Sequence, residues 1–162
     1  MGNSGSKGRF TVIGSHNIYV GKHSRNADEK GRVLLPAKWR FGDNDNDVYI
    51  AIPNTSGCIT VYPPHMVEKL REKVSNISLG DKAGQKVLTK LFSCADQLVC
   101  DSQGRIAINS SLMRHASLKK EVIMVGNFVT FSIWEPSRYD SYIDSDEEHD
   151  DEISQILTQL GL

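Results

Sequence analysis

One five-residue turn motif occurs twice in this sequence, and it constrains the fold more than any other feature. The chain reads Asp-x-x-Gly-Arg at 28–32 and again at 101–105, an offset of 73 residues. An apolar run follows each copy, "VLL" after the first and "IAI" after the second. Self-similarity at a fixed spacing indicates a chain built from repeated structural units. The sequence therefore predicts two copies of one small fold.

The same order of elements is predicted after each motif: a short helical turn, a β-hairpin and a helix. In the first copy Pro36 opens the helical turn, 48–52 and 58–62 form the hairpin, and a helix begins near Pro64. In the second copy the corresponding pieces are 110–118, then 121–126 with 128–134, then a helix after Glu135. The stretch 22–30 is polar and charged, and no strand is assigned to it.

Two amphipathic helices are predicted between the copies, over 64–77 and 81–94. Apolar residues recur on one face of each. The side chains expected on the buried side of the second helix are Val87, Leu88, Leu91 and Phe92. These faces could pack within the chain or form a contact between subunits, and the sequence leaves both readings open.

The composition excludes several classes of protein. The chain has 162 residues, 39% of them hydrophobic, and no apolar run near the roughly 18 residues that span a bilayer. The chain has three cysteines without a C-x-x-C motif and five scattered histidines. This pattern predicts that there is no disulfide framework, no metal site and no cofactor. No catalytic motif is recognisable, so an enzyme is not expected. "MGNSGS" fits either a myristoylation signal or, as we expect, a flexible leader.

The charges are segregated along the chain. The last 22 residues hold seven acidic side chains and no Lys or Arg, whereas residues 1–140 carry 19 basic against 13 acidic side chains. Such asymmetry favours a polyanionic partner for the body and a solvated acidic tail, which could equally have no role.

The residue types of the repeated turn have different explanations. An Asp before a turn accepts hydrogen bonds from turn amides, and a Gly adopts positive φ without steric cost. Arg32 and Arg105 fit two readings: an ion pair with the motif's own Asp, or a contact to phosphate or to guanine in a major groove. Basic residues concentrate in the first copy, as is typical of a nucleic-acid contact. The predicted DNA-binding residues are Lys22, Arg25, Asp28, Lys30, Arg32, Lys38, Arg40, Asp101, Gln103 and Arg105.

From Ile18 to Tyr142 the sequence resembles the MraZ family. The resemblance lies in the "DEKGRVLLP" run, the "CITVYP" strand, the second "DSQGR" turn and the long "HASLKKEVIMVGNFVTFSIWEP" stretch. It implies an α+β fold in which a two-fold internal repeat forms an AbrB-like swapped-hairpin β-barrel with flanking helices. The implied segments are a flexible leader 1–15, a first repeat 16–75, a connecting helix region 76–97, a second repeat 98–143 and an acidic tail 144–162.

The resemblance also implies a function. It predicts a cytoplasmic, nucleoid-associated transcription regulator that represses its own cell division and cell wall operon. The implied partners are double-stranded DNA carrying short direct repeats in the promoter and further copies of the chain in a ring, without a membrane. The alternative is a ring-forming protein-interaction scaffold that does not bind DNA specifically.

Overall fold

The computed structural model describes residues 18–40, 48–145 and 149–162, and within them the chain forms eight strands and five α-helices. The strands are β1 Lys22–Asn26, β2 Arg32–Leu34, β3 Val48–Pro53, β4 Ile59–Tyr62, β5 Asp96–Val99, β6 Arg105–Ala107, β7 Glu121–Gly126 and β8 Phe131–Trp134. The helices are α1 Pro64–Ser75, α2 Lys82–Phe92, α3 Ser110–His115, α4 Pro136–Asp144 and α5 His149–Leu160, and Ala37–Trp39 forms a 3₁₀ turn. The expected leader 1–15 lies outside the described residues.

The predicted repeat of elements is present. Strand, turn, strand, short helix, hairpin and helix follow one another in the first half and again, in the same order, in the second. Local signals account for the boundaries: Asn109 and Asp81 each accept a hydrogen bond from a backbone N–H in the first turn of the helix that follows. One strand was missed, because β1 carries the polar sequence KHSRN, whose positions alternate between exposed and half-buried. A charged edge strand gives no apolar alternation to recognise.

The strands form two antiparallel sheets in which the halves exchange partners. The six-stranded sheet has the order β1-β7-β8-β4-β3-β5, and β2 pairs with β6 in a separate two-stranded ladder. The first strand of each half therefore lies against the hairpin of the other: β1 pairs with β7, and β5 pairs with β3. Neither half has a complete sheet of its own, so the two copies form one folding unit.

The α+β class is confirmed, but the closed barrel expected from the resemblance is not seen. In the described residues β1 and β5 are the two edges of the larger sheet and do not pair with each other. Closure would need a hydrogen-bonded seam between these edges. The β2–β6 ladder is instead a separate ribbon.

The main core joins side chains of both halves. Trp39 and Tyr19 pack on Phe131 of the other half, with ring centroids 5.1 and 5.2 Å apart respectively, and all three side chains are buried. Val33 and Ile106 point inward from the β2–β6 ribbon and are fully buried. The ribbon is thus anchored by its inner face, while its outer face is left for other contacts.

Helices α1 and α2 form close to their predicted positions, but their apolar side chains are less buried than expected. Neither helix contains a buried residue. The expectation that Val87 lies on a buried side is wrong, since this side chain is largely exposed, whereas Leu88, Leu91 and Phe92 are half-buried. No helix in the described ranges is long and apolar enough to cross a membrane.

Candidate nucleic-acid interface

The first turn motif is organised around the carboxylate of Asp28. Its Oδ1 accepts hydrogen bonds from the backbone N–H groups of Lys30 at 3.0 Å and Arg32 at 2.9 Å. Its Oδ2 accepts from Arg32 Nε at 2.6 Å. Gly31 has φ +73°, a left-handed conformation that only glycine adopts without steric cost. The Asp and the Gly therefore build the turn, and the Asp also orients the arginine.

The second turn repeats this arrangement almost atom for atom. Asp101 Oδ1 accepts from the N–H groups of Gln103 and Arg105, both at 2.9 Å, and Oδ2 accepts from Arg105 Nε at 2.8 Å. Gly104 has φ +83°. The sequence motif is therefore a structural frame in which each arginine is held through its Nε.

The hydrogen bonds of each turn lower the pKa of its aspartate. The backbone N–H of Arg32 is the largest cause for Asp28, partly offset by burial, and the Arg32 side chain and Lys30 N–H add to the lowering. The pKa of Asp101 is lowered by the backbone N–H of Arg105 and, further, by the Arg105 side chain and Gln103. Both carboxylates are accordingly charged at neutral pH, and each remains a partner for its guanidinium.

The ion pairs leave part of each arginine available. In the described part of the chain the Nη atoms of Arg32 and Arg105 donate no hydrogen bond, since each pair is made through Nε. The two arginine side chains are about one third exposed. The ion-pair reading and the contact reading are therefore compatible, because the aspartate fixes the guanidinium while its outer edge faces solvent.

The β2–β6 ribbon brings the two arginines onto one surface. Arg32 pairs with Ala107 and Arg105 pairs with Leu34, while Val33 and Ile106 between them are buried. Since side chains alternate across a strand, the two arginines share the outer face of the ribbon, about 7–8 Å apart on its diagonal. Gly31 and Gly104 accept hydrogen bonds from Ile108 and Leu35 at the two ends of the ladder, both at 2.9 Å. The two turns therefore flank one ribbon symmetrically.

Three further predicted cations lie together in a groove beside the β2–β6 ribbon. Lys22, Arg25 and Lys38 line one groove of about 770 Å³ next to β1. Arg25 donates from Nε to the Leu34 carbonyl of the ribbon at 3.2 Å, which ties this groove to the ribbon. Lys22 also lies over the ring of Tyr139, with Nζ 5.0 Å from the centroid.

The two turns differ in the residue at their tips and in the side chains beside them. Lys30 is exposed at the tip of the first turn, and Gln103 is exposed at the same place in the second. Arg40 belongs to the framework, since its Nε and Nη2 donate to the Leu35 carbonyl at 3.1 and 2.8 Å, and its guanidinium lies against Gly104. Its direct contact with nucleic acid stays a prediction.

Sequence reasoning missed a lysine at the first turn. Lys120 precedes β7 in the second half and is exposed. The strand exchange brings it to the first half, where its carbonyl accepts from Ala27 N–H at 2.7 Å, one residue before Asp28. Only knowledge that β1 pairs with β7 could have predicted this, because nothing local to the lysine indicates it.

No group of three or more metal-ligating side chains that could hold an ion occurs in residues 18–40, 48–145 and 149–162. The surface defined above is instead one of arginine and lysine side chains on a turn-flanked ribbon. It has the charge and the side-chain types of a nucleic-acid contact rather than of a metal centre.

The fold and this surface define a class: a chain of two strand-exchanged repeats whose paired turns present oriented arginines. Comparison with known proteins identifies the family. The model of the family described as "MraZ protein, putative antitoxin-like" matches residues 91–159. Relatives named transcriptional regulator MraZ from Halothermothrix orenii and Pediococcus pentosaceus are 34% and 32% identical over 145 residues, which is 90% of this chain and all of each relative. The chain belongs to the MraZ family.

Proposed function

We propose that this protein is a DNA-binding transcription regulator, not an enzyme, and that it contacts DNA with the outer face of the β2–β6 ribbon and the turns that flank it. The observation that carries the proposal is the pair of arginines on that face, each held through Nε by an aspartate. A major groove of B-DNA admits a two-stranded β-ribbon, and the ribbon here is a separate, outward-facing element. The relatives named as transcriptional regulators support the same class.

The two kinds of cation have different roles in this proposal. Arg32 and Arg105 read bases, because a guanidinium fixed at one edge can give a paired contact to O6 and N7 of guanine. Lys30 and Lys120 at the first turn, and Lys38 after the far end of β2, are exposed and contact phosphates, which sets register and affinity without reading sequence. Asp28 and Asp101 hold the arginines, and Gln103 takes the place of Lys30 in the weaker, second contact.

The same proposal includes the genes that the protein regulates, the DNA sites that it binds and its place in the cell. The protein represses its own cell division and cell wall operon by binding short direct repeats in the promoter, in the cytoplasm and on the nucleoid. One subunit offers few phosphate contacts, whereas a ring of identical subunits could engage successive repeats, and such linkage can raise affinity by roughly 10²–10⁴. The AbrB-like swapped-hairpin arrangement of 16–75 and 98–143 is supported by the pairing of β1 with β7 and of β5 with β3.

The test is a titration of the protein into labelled DNA from upstream of its own gene, with a scrambled duplex of equal length as the control. We expect the promoter to bind at least about 10³-fold more tightly, with an affinity that falls steeply as salt rises. Equal affinity for both duplexes would contradict sequence-specific regulation. A homogeneous oligomer with no salt-sensitive DNA affinity would favour the alternative, an interaction scaffold.

A further inference from the structure

Helix α5 has an apolar face that nothing in the described structure covers. Ile153, Ile156, Leu157 and Leu160 recur at helical spacing and are 42–67% exposed. Every described side chain of this helix is exposed. An isolated helix of 12 residues is marginal in water, so most of its stability must come from packing of its apolar face. The helix therefore needs a partner surface.

A groove beside α1 and α2 has complementary character. It has a volume of about 590 Å³ and is lined mainly by apolar side chains of α1, α2 and the adjacent strands. Those side chains include Val67, Leu70, Val74 and Phe92, and none of them is fully buried. This is the kind of groove into which an amphipathic helix lays residues spaced i, i+3, i+4 and i+7.

The charge of α5 is opposite to that of the two helices that border the groove. From 149 to 162 the chain carries three acidic residues and neither Lys nor Arg. From 64 to 92, the segment of α1 and α2, it carries six basic residues against three acidic ones, while the groove lining itself has one charge of each sign, Arg71 and Asp96. Complementary charge of this kind favours encounter of the two surfaces and selects against other partners.

We propose that α5 of one copy of the chain docks in the α1–α2 groove of a second copy. In the described chain the groove is open and the apolar face of α5 is uncovered, so a second copy supplies what each surface lacks. The contact joins unlike surfaces, and such head-to-tail contacts close into rings when the rotation permits. The inference rests on the proposed homo-oligomer but not on DNA binding.

The first test compares two glutamate substitutions on α5 by light scattering of the purified protein. Leu157→Glu places a charge on the apolar face, whereas Gln155→Glu places the same charge on the opposite face of the same helix. Both positions are exposed, so neither change disturbs the core. We expect Gln155→Glu to keep the oligomeric mass of the wild type and Leu157→Glu to reduce it to that of a monomer. A wild-type monomer, or an undiminished mass in Leu157→Glu, would overturn the proposal.

The second test mixes two variants, each defective in one of the two surfaces. It distinguishes docking between two chains from docking within one chain. Leu157→Glu has a defective helix and an intact groove, and Val74→Glu has an intact helix and a defective groove. Each should be monomeric alone, and an equimolar mixture should form a dimer with one intact contact. Monomers in the mixture would mean that α5 occupies its own groove or another surface, and would overturn the proposal.

DNA titration of the same proteins keeps this inference distinct from the proposed function. Specific promoter binding by a Leu157→Glu protein of full oligomeric mass would reject the α5 contact and leave the regulator intact. A wild-type oligomer that Leu157→Glu dissociates, but that binds promoter and scrambled DNA equally, would reject the regulator and leave the α5 contact standing.

Discussion

The two turn motifs have the same internal geometry and different surroundings. In both, one aspartate accepts two backbone N–H groups and one arginine Nε, and a glycine has positive φ. The first turn has exposed Lys30 at its tip and exposed Lys120 beside it, whereas the second turn has Gln103 at its tip and Arg40, engaged with the Leu35 carbonyl, beside it. The comparison shows that the motif provides the frame for an arginine, and that the neighbours decide how strongly the arginine's surface attracts a polyanion.

The largest expected difference between the turns concerns their glycines. A Cβ at Gly31 would lie 2.7 Å from the backbone oxygen of Ile108, which cannot retreat because Ile108 N–H also bonds Gly31. A Cβ at Gly104 would meet the Arg40 guanidinium, a side chain that can move. We expect Gly31→Ala to lower the free energy of unfolding by about 2–4 kcal/mol and Gly104→Ala by about 1–2 kcal/mol, measured by urea denaturation.

Gly80→Ala is the matched control for both glycine changes. Gly80 is exposed, has no positive φ, and a Cβ there would lie 3.6 Å from the Ser78 hydroxyl, an ordinary contact. It should change the free energy of unfolding by no more than about 0.5 kcal/mol. An equally small effect at Gly31 would show that the first turn is not held as tightly as the ladder contacts indicate.

The aspartates test whether orientation of the arginine matters. In Asp28→Asn the amide oxygen can still accept the turn N–H groups, but the charge that holds Arg32 Nε is lost. We expect the ratio of specific to non-specific DNA affinity to fall by about tenfold, since the amide nitrogen then faces Arg32 Nε donor to donor and the charge-assisted hydrogen bond that orients the guanidinium is lost. Asp101→Asn should lower that ratio less. Unchanged discrimination in both variants would mean that the ion pairs serve the fold alone.

The residues at the tips of the turns test the difference in charge. Lys30→Gln places at the tip of the first turn the residue type that the second turn has there. Gln103→Lys makes the reverse exchange in the second turn. On a plot of log affinity against log salt, the first change should reduce the slope by about one per contacting subunit and the second should increase it by a similar amount. Lys86→Gln, which removes the same charge from exposed α2, should leave the slope unchanged. An equal change in slope from Lys86→Gln would point to a diffuse charge effect.

The smallest expected effect is the pH dependence of fold stability that the two aspartates cause. Because the folded-state pKa of Asp28 and of Asp101 lies below the usual value of 3.8, each carboxylate stabilises the fold above pH 3.8. That stabilisation is lost as the pH falls through the lowered pKa. The difference in stability between the wild type and Asp101→Asn should be constant from pH 7 to about pH 5 and vanish in stronger acid. A difference that already disappears near neutral pH would require another titrating group.

Much of the local structure could be predicted because it depends on short-range signals. Both turns, both hairpins and four of the helices follow from turn residues, alternation of apolar side chains and helix-start signals. The pairs of Asp28 with Arg32 and Asp101 with Arg105 were predicted as one of two readings, and both pairs are present.

What the sequence could not predict depends on pairing between distant segments. Strand β1 was missed because its pairing with β7, not its own composition, makes it a strand. Lys120 reaches the first turn through the same pairing. Helix α5 was predicted only as an acidic tail, because the charged residues before it hid the apolar spacing from Ile153 to Leu160. The DNA-binding roles of the named residues stay predictions.

The most direct test of the account compares Arg32→Ala with Arg105→Ala in a titration of the protein's own promoter DNA across salt concentrations. Light scattering and circular dichroism would verify that both variants keep the wild-type mass and fold. The account predicts that Arg32→Ala lowers specific affinity by more than about 100-fold, since each base contact contributes about 1–3 kcal/mol and is repeated in every bound subunit, and that Arg105→Ala lowers it less. A larger loss in Arg105→Ala, or wild-type affinity in a folded Arg32→Ala protein, would contradict it.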